Sequence, residues 1–157
     1  MSLVIRDAAE DDAAAACIVM RRSIAELCGA DHRGDEQILG RWLANKTEAN
    51  FAAWRADPHN ALLVAEEDGA LLAVGAVRDT GEITLNYVSP DARFQGVSRA
   101  MLAALEARAR QQGLSRCTLH STETAHRFYR AAGYIDIAPP AGHFGTSSGY
   151  KMAKDLS

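Results

Sequence analysis

Residues 93–99 have the composition of a loop that binds a phosphate or pyrophosphate group. An apolar strand leads into this loop and an amphipathic helix follows it. Arg93 supplies a positive charge, and the small residues Gly96 and Ser98 allow an anion to approach the main chain. Free N–H groups at a helix start, together with the positive end of the helix dipole, attract such an anion.

A second feature with chemical potential is the segment Ala125-His126-Arg127-Phe128-Tyr129, which is followed by Gly133-Tyr134. Together with Arg93-x-x-Gly96-x-Ser98, it resembles the GCN5-related N-acetyltransferase (GNAT) family. In that family the segment that corresponds to residues 93–98 holds the pyrophosphate of acetyl-CoA. The segment that corresponds to residues 125–133 is an Ala-x-x-Phe-Tyr-x-x-x-Gly helix. The resemblance implies that Tyr129 protonates the leaving thiolate, since a phenol with a pKa near 10 is protonated at neutral pH. The alternative is a core tyrosine beside Phe128.

The resemblance also implies which residues hold acetyl-CoA. In the family, main-chain groups at the end of the central strand pair with the pantetheine arm. Ser98 stands where the family usually has glycine or alanine, and Thr122 stands where many members have asparagine. The expected cofactor-binding residues are Tyr87, Val88, Ser89, Arg93, Phe94, Gln95, Gly96, Val97, Ser98, Arg99, Thr122, Ala125 and Phe128.

Acetyl transfer to an amine also needs a base, because an alkyl amine is roughly 99.9% protonated near neutral pH. Glu82 begins the central strand, and the two-residue period places it on one face with Thr84 and Asn86. His120 ends the neighbouring strand and has a reference pKa suited to proton transfer. Both are candidate catalytic residues. The alternative for Glu82 is an exposed charge at the start of a strand, and the alternative for His120 is a polar histidine with a structural role. The resemblance further implies an oxyanion contact from a main-chain N–H near Val88.

Length and composition indicate one domain over residues 1–157. Apolar residues make up 48% and charged residues 24%, as is ordinary for a soluble globular protein. The formal net charge of -3 argues against nucleic-acid binding, and no apolar run reaches the roughly 18 residues of a membrane span. Three scattered cysteines and an N-terminus without a signal pattern predict a reduced, cytoplasmic protein.

Hydrophobic periodicity predicts a strand, two or three helices, three strands, a helix, a strand, a helix and two strands. The strands are expected at residues 3–6, 61–66, 71–78, 83–88, 115–120, 134–137 and 150–153. The helices are expected at 11–27, from 35, from 47, at 98–112 and at 124–132, with Gly29, Pro58, Gly113 and Gly133 near their ends. This is the GNAT order, so the resemblance spans nearly the whole chain. It implies an α/β (α+β) fold whose mixed sheet of six to seven strands is splayed between the fourth and fifth strands, with acetyl-CoA in the gap.

Several further residues invite a chemical interpretation that their spacing does not support. No metal is expected, because Cys28 and His32, near Asp31 and Asp35, lack a second ligand pair with zinc spacing. Cys117 lies within a predicted strand, which argues against a covalent enzyme intermediate. The aromatic and late-loop residues are either core residues or part of the acceptor pocket, namely Trp42, Phe51, Trp54, His143, Phe144 and Ser147.

The sequence therefore predicts an N-acetyltransferase that transfers the acetyl group of acetyl-CoA directly to a primary amine in a ternary complex. A small molecule, an amino acid or a peptide all fit as acceptor. The alternative from another class is a non-catalytic acyl-CoA sensor or partner-docking module. The loop at residues 141–149 is a candidate contact between two copies in a homodimer.

Overall fold

Seven strands form one mixed sheet in a computed structural model of the protein, which describes residues 2–141 and 149–156. The strand order is β1-β2-β3-β4-β5-β7-β6. The strands are β1 (Val4–Asp7), β2 (Asn60–Glu67), β3 (Ala70–Arg78), β4 (Glu82–Val88), β5 (Arg116–Thr122), β6 (Ile135–Asp136) and β7 (Gly149–Asp155). The helices are α1 (Ala13–Leu27), α2 (Gly29–His32), α3 (Glu36–Leu43), α4 (Glu48–Ala56), α5 (Val97–Gln111) and α6 (His126–Ala131). The predicted fold class is confirmed, and the element order agrees with the prediction except for α2, a four-residue helix that was not expected.

Helices cover both faces of the sheet. The α5 face is packed by Met101 and Leu105, and the α1 face by Met20 and Phe51, all of which are fully buried. Gly75 in β3 lets α5 lie close to the sheet, because a Cβ there would stand 2.7 Å from the Met101 sulfur. Within the described residues, no helix is long and apolar enough to cross a membrane.

Two helix starts have the caps that the sequence indicates. The Asp35 carboxylate accepts hydrogen bonds from the main-chain N–H groups of Gln37 at 2.9 Å and Ile38 at 3.2 Å, and α3 begins at the next residue. The Thr47 hydroxyl accepts from the N–H of Asn50 at 3.2 Å at the start of α4. Both contacts satisfy N–H groups that have no partner inside their helix.

The end of α1 differs from the prediction that Gly29 terminates it. The N–H of Cys28 closes α1 on the Ile24 carbonyl at 3.3 Å, and Gly29 begins the short helix α2. The His32 ring explains this packing. Its Nδ1 accepts from the N–H of Gly34 at 3.0 Å, so Nε2 carries the proton that it donates to the Ile24 carbonyl, also at 3.0 Å.

The β4 and β5 strands are the parallel pair of the sheet, and they separate after two residues. They pair only at Glu82 with Thr118 and at Ile83 with Leu119. From Thr84 onward, the β4 edge that faces β5 has no strand partner, which confirms the predicted splay. Main-chain groups on such an edge are available to an extended ligand.

A β-bulge in β4 determines which residues face each side of the gap. The β3–β4 register passes from Val77 opposite Ile83 to Ala76 opposite Leu85, so Thr84 is an extra residue. As a result, Ile83 packs in the α5-side core, whereas Leu85 packs in the α1-side core.

This bulge corrects the expectation that Glu82, Thr84 and Asn86 share one face. Asn86 is paired with Gly75 and lies on the α5 side of the sheet. Glu82 neighbours Ile83 and therefore points to the opposite side, beside its β5 partner Thr118. The two-residue period fails here because a bulge shifts the alternation by one residue.

Candidate active site

None of the six consecutive main-chain N–H groups from Phe94 to Arg99 donates a well-formed hydrogen bond within 3.5 Å to a main-chain carbonyl in the part of the chain that the structure describes. The last three belong to the first turn of α5, a fifteen-residue helix whose dipole is positive at this end. Gly96 caps the helix with a φ of 79°, and a Cβ at this position would face open space. Donors arranged in this way fit an anion such as pyrophosphate.

Contacts on both sides hold this loop in place. The N–H of Ser89 donates to the Leu72 carbonyl at 2.7 Å, and the Ser89 hydroxyl accepts from the N–H of Asp91 at 3.2 Å. Arg22 of α1 forms an ion pair with Asp91 at 2.9 Å, a contact that the sequence did not indicate. The Ser89 amide thus binds β3 and its hydroxyl accepts within the turn, so this residue holds the start of the loop against the sheet.

A cavity of about 630 Å³ extends from this loop along the open edge of β4. It is lined by most of the residues expected to bind the cofactor, namely Tyr87, Val88, Arg93, Phe94, Gly96, Val97, Ser98, Arg99, Thr122, Ala125 and Phe128. Ser89 and Gln95 do not line it. The donors, the two arginines and the open strand edge fit an extended thioester that carries a pyrophosphate.

Tyr129 lines this cavity and is 7% exposed. The Asn86 amide donates a hydrogen bond to the Tyr129 hydroxyl oxygen at 3.1 Å, which leaves the phenolic hydrogen available for another acceptor. Burial raises the pKa of Tyr129 to about 12, so the phenol is protonated throughout the neutral range. Asn86 belongs to the site through this contact, which only the bulge in β4 makes possible.

The turn before α6 is held by Asp31, which the sequence offered only as part of an unsupported metal cluster. Asp31 is 1% exposed, and its carboxylate accepts from the N–H of Glu123 at 2.6 Å and from the hydroxyl of Thr124 at 2.5 Å. The Thr122 hydroxyl accepts from the N–H of Ala125 at 3.1 Å. These contacts make residues 123–125 a turn, so α6 begins at residue 126 and not at the predicted 124.

A second cavity, of about 560 Å³, opens on the α1 side of the sheet. Trp42 and Trp54 line it, whereas Phe51 is fully buried in the core. The two cavities share five lining residues along the splay, namely Thr84, Leu85, Tyr87, His120 and Thr122. The two cavities therefore adjoin at this junction, which these five residues form.

The two candidate bases lie at different distances from the junction. His120 lines both cavities. Glu82 lines neither of them and lies at the closed end of the splay, two residues before Thr84. Their roles remain predictions.

The three cysteines are buried and unpaired. Cys28 lines the first cavity, where burial, and to a lesser degree the nearby charge of Asp31, raise its pKa to about 12. Cys117 is 0% exposed, and burial raises its pKa as well. Raised pKa values keep these thiols protonated and unreactive at neutral pH.

Some sequence interpretations fall on residues that the structure does not describe. His143, Phe144 and Ser147 lie outside the described residues, as does most of the loop at 141–149 that was expected to contact a second copy. In the ranges 2–141 and 149–156, no group of three or more His, Cys, Asp or Glu side chains could hold a metal ion.

Curated proteins with similar sequences are acetyltransferases. The chain is 37% identical over 76 residues to the amino-acid acetyltransferase of Ectopseudomonas mendocina, a match that covers 45% of this chain and 17% of that protein. It is 32% identical over 99 residues to an uncharacterized N-acetyltransferase of Mycobacterium tuberculosis, covering 58% of this chain and 63% of that protein. Each match thus spans less than two thirds of the relative's length.

Solved structures with the same fold are also acetyltransferases. A GCN5-related N-acetyltransferase from Rhodopseudomonas palustris superposes with a TM-score of 0.86 at 24% identity, covering 99% of this chain and 96% of that chain. The PaiA N-acetyltransferase of Thermoplasma acidophilum, crystallised with coenzyme A, has a TM-score of 0.83 at 17% identity and covers 99% of both chains.

The family model described as an acetyltransferase (GNAT) domain matches residues 30–156. This range includes the N–H groups of Phe94 to Arg99, which we call the N–H cradle, together with the splayed strands and the helix that carries Tyr129. The chain therefore belongs to the GNAT family of acetyltransferases.

Proposed function

We propose that this protein transfers an acetyl group from acetyl-CoA directly to an amine while both substrates are bound. The observation that carries the proposal is the junction between the two cavities at the splay of β4 and β5. The first cavity contains the N–H cradle and Tyr129, and the second opens toward solvent on the other side of the sheet. Two ligands that meet at one point have no need of an enzyme-bound carrier for the acetyl group.

The chain's own residues supply what acetyl transfer requires on the thioester side. Acetyl-CoA provides the activated acetyl group. The loop from Phe94 to Arg99 would hold its pyrophosphate, and the open edge of β4 would align its pantetheine arm. Tyr129 would donate its phenolic proton toward the departing sulfur, while Asn86 fixes the phenol's position. A main-chain N–H near Val88 is our candidate donor to the developing oxyanion.

On the amine side, a proton must leave the nitrogen as the C–N bond forms and the C–S bond breaks. His120 is our first candidate to receive it, directly or through water, because it lines both cavities. Glu82 is the second candidate. It pairs with Thr118 at the closed end of the splay, two residues before Thr84 of the junction. The raised pKa of Cys28 supports direct transfer, because a protonated thiol does not accept an acetyl group.

We also propose that the chain acts as one domain in a reducing, cytoplasmic environment. The buried, unpaired thiols of Cys17, Cys28 and Cys117 support this.

Thiol release from acetyl-CoA over a panel of primary amines tests the proposed function, with Tyr129→Phe as the diagnostic variant. This substitution removes one hydroxyl, and we expect kcat to fall about a hundredfold or more while acetyl-CoA affinity, measured by calorimetry, is unchanged. Tyr150→Phe is the matched control, because the Tyr150 hydroxyl donates to Glu123 at 3.0 Å and lines neither cavity.

Two results would contradict the proposal. An unchanged kcat in Tyr129→Phe would remove this residue from the mechanism. Tight acetyl-CoA binding without thiol release on any amine would favour the sensor that the sequence left as an alternative.

A further inference from the structure

Lys46 is buried in a connection that is otherwise exposed to solvent. It is 5% exposed, while its neighbours Asn45 and Thr47 in the α3–α4 turn are exposed. Its N–H donates to the Leu43 carbonyl at 3.0 Å, and its carbonyl accepts from the Arg21 guanidinium at 3.3 Å. The main chain is therefore anchored so that this lysine side chain enters the interior. Lysine is almost never buried in this way without a partner.

The Lys46 ammonium has no carboxylate partner among the described residues. It donates to the Asn45 side-chain oxygen at 2.6 Å and lies 5.8 Å from the centre of the Tyr87 ring. Burial lowers its pKa to about 8, and no neighbouring negative charge opposes that change. The undescribed residues 142–148 contain no Asp or Glu.

Two other buried charges in the described structure form ion pairs. Asp12 forms an ion pair with Arg6 at 2.7 Å, and Glu106 forms one with Lys154 at 3.1 Å. Lys46 differs from both, because its compensation would have to come from outside the chain. A buried charge without a partner is costly, so a position that retains one is a candidate binding site.

Lys46 lines the second cavity, whose remaining charges do not neutralise it. Arg78 is paired with Asp57 at 3.1 Å, and Lys151 adds an exposed positive charge next to His120 in the β5–β7 register. Asp31 is the acidic group among the described lining residues; its oxygens accept hydrogen bonds from the turn before α6, and its single negative charge is outweighed by Lys46 and Lys151 together. Positive charge is therefore in excess where the amine must bind.

This excess disfavours an acceptor whose only charge is its own ammonium. Tyr87, against which Lys46 lies, lines both cavities. An anionic group held by Lys46 would therefore leave the rest of a small acceptor close to the junction with the thioester. We propose that Lys46 binds the carboxylate of an acceptor that carries both an amine and a carboxylate, as an amino acid does. The inference rests on the proposed function and names its substrate class.

Matched acceptor pairs test this inference. Initial rates of thiol release are measured with free amino acids and with the corresponding primary amides, which keep the amine and the side chain but lack the carboxylate. A charge-assisted hydrogen bond should favour the acid by about 10- to 100-fold in kcat/KM. Lys46→Met should remove this preference by lowering kcat/KM for the acids alone, and Lys46→Arg should retain part of it.

Arg41→Met is the control variant, because it removes a positive charge from an exposed position on α3 that lines neither cavity. It should leave the preference for acids unchanged. Melting curves and acetyl-CoA titrations of each variant establish that the fold and the cofactor site are intact.

Equal kcat/KM for acids and amides in the wild-type protein would overturn the inference and leave the proposed function standing. An equal loss for acids and amides in Lys46→Met would also overturn it, since that pattern is expected of a base or of a structural residue. If no amine supported thiol release, the proposed function itself would be refuted, and this inference with it.

Discussion

Lys46→Met should stabilise the protein at pH 7, because the wild-type fold buries an uncompensated ammonium. The pKa of Lys46 is lowered from 10.5 to about 8, which corresponds to roughly 3 kcal/mol against the charged form in the folded state. This value is an upper limit, because Lys46 borders a cavity large enough for water. We expect a gain of about 1 to 3 kcal/mol in the free energy of unfolding, equivalent to about 3 to 10 °C in Tm.

The gain should depend on pH in a defined direction. Below pH 8 the lysine is protonated in both the folded and the unfolded state, so the wild-type protein carries the full penalty. Between pH 8 and 10.5 the folded protein releases the proton while the unfolded chain keeps it, so the penalty shrinks as the pH rises. The difference between variant and wild type should thus be largest at pH 7 and much smaller near pH 10.

Urea unfolding of the wild type, Lys46→Met and Lys46→Arg at pH 7, 8.5 and 10 measures this difference. Lys46→Arg keeps the charge and should show no gain. Destabilisation by Lys46→Met at pH 7, or a gain that does not shrink with rising pH, would show that the ammonium has a compensating partner. Our account of the second cavity would then be wrong. A residue that costs stability and is nevertheless present fits a role in binding.

Three further outcomes can be checked. Gly96→Ala should cost about 1 to 2 kcal/mol of stability and weaken acetyl-CoA binding in calorimetry; Gly34→Ala, at a φ of 71°, should show similar strain with unchanged affinity. Asp31→Asn should lower the free energy of unfolding in urea by about 2 kcal/mol, because its new amide would face N–H donors. If His120 is the base, His120→Asn should abolish the acidic limb of the kcat/KM profile against pH, whereas Glu82→Gln should retain it; the opposite pattern would assign the base to Glu82.

Local signals account for the parts of the fold that the sequence predicted. The caps at Asp35 and Thr47 and the glycine at position 133 act on their own backbone neighbours, so their effects can be predicted without the tertiary structure. The loop from Phe94 to Arg99 is equally local, because its free N–H groups follow from one glycine and one helix start.

Contacts between distant segments were beyond prediction. Asp31 holds a turn 92 residues away in the chain. The sequence gives no sign of this contact, because Asp31 stands there between Cys28 and His32, neither of which is part of it. The bulge at Thr84 reverses the strand's alternation, so the period-two argument placed Asn86 beside Glu82 and missed its contact with Tyr129.

The sequence by itself determined the family, most of the order of elements, the glycine-containing loop before α5 and the helix that carries Tyr129, because each depends on residues close together in the chain. Only the tertiary structure decided which side chains meet at the splay and which charges remain uncompensated. Lys46 illustrates the reason. In the sequence it is one of several charged residues in a polar turn, and burial alone, which depends on packing against α1 and β4, makes its charge significant.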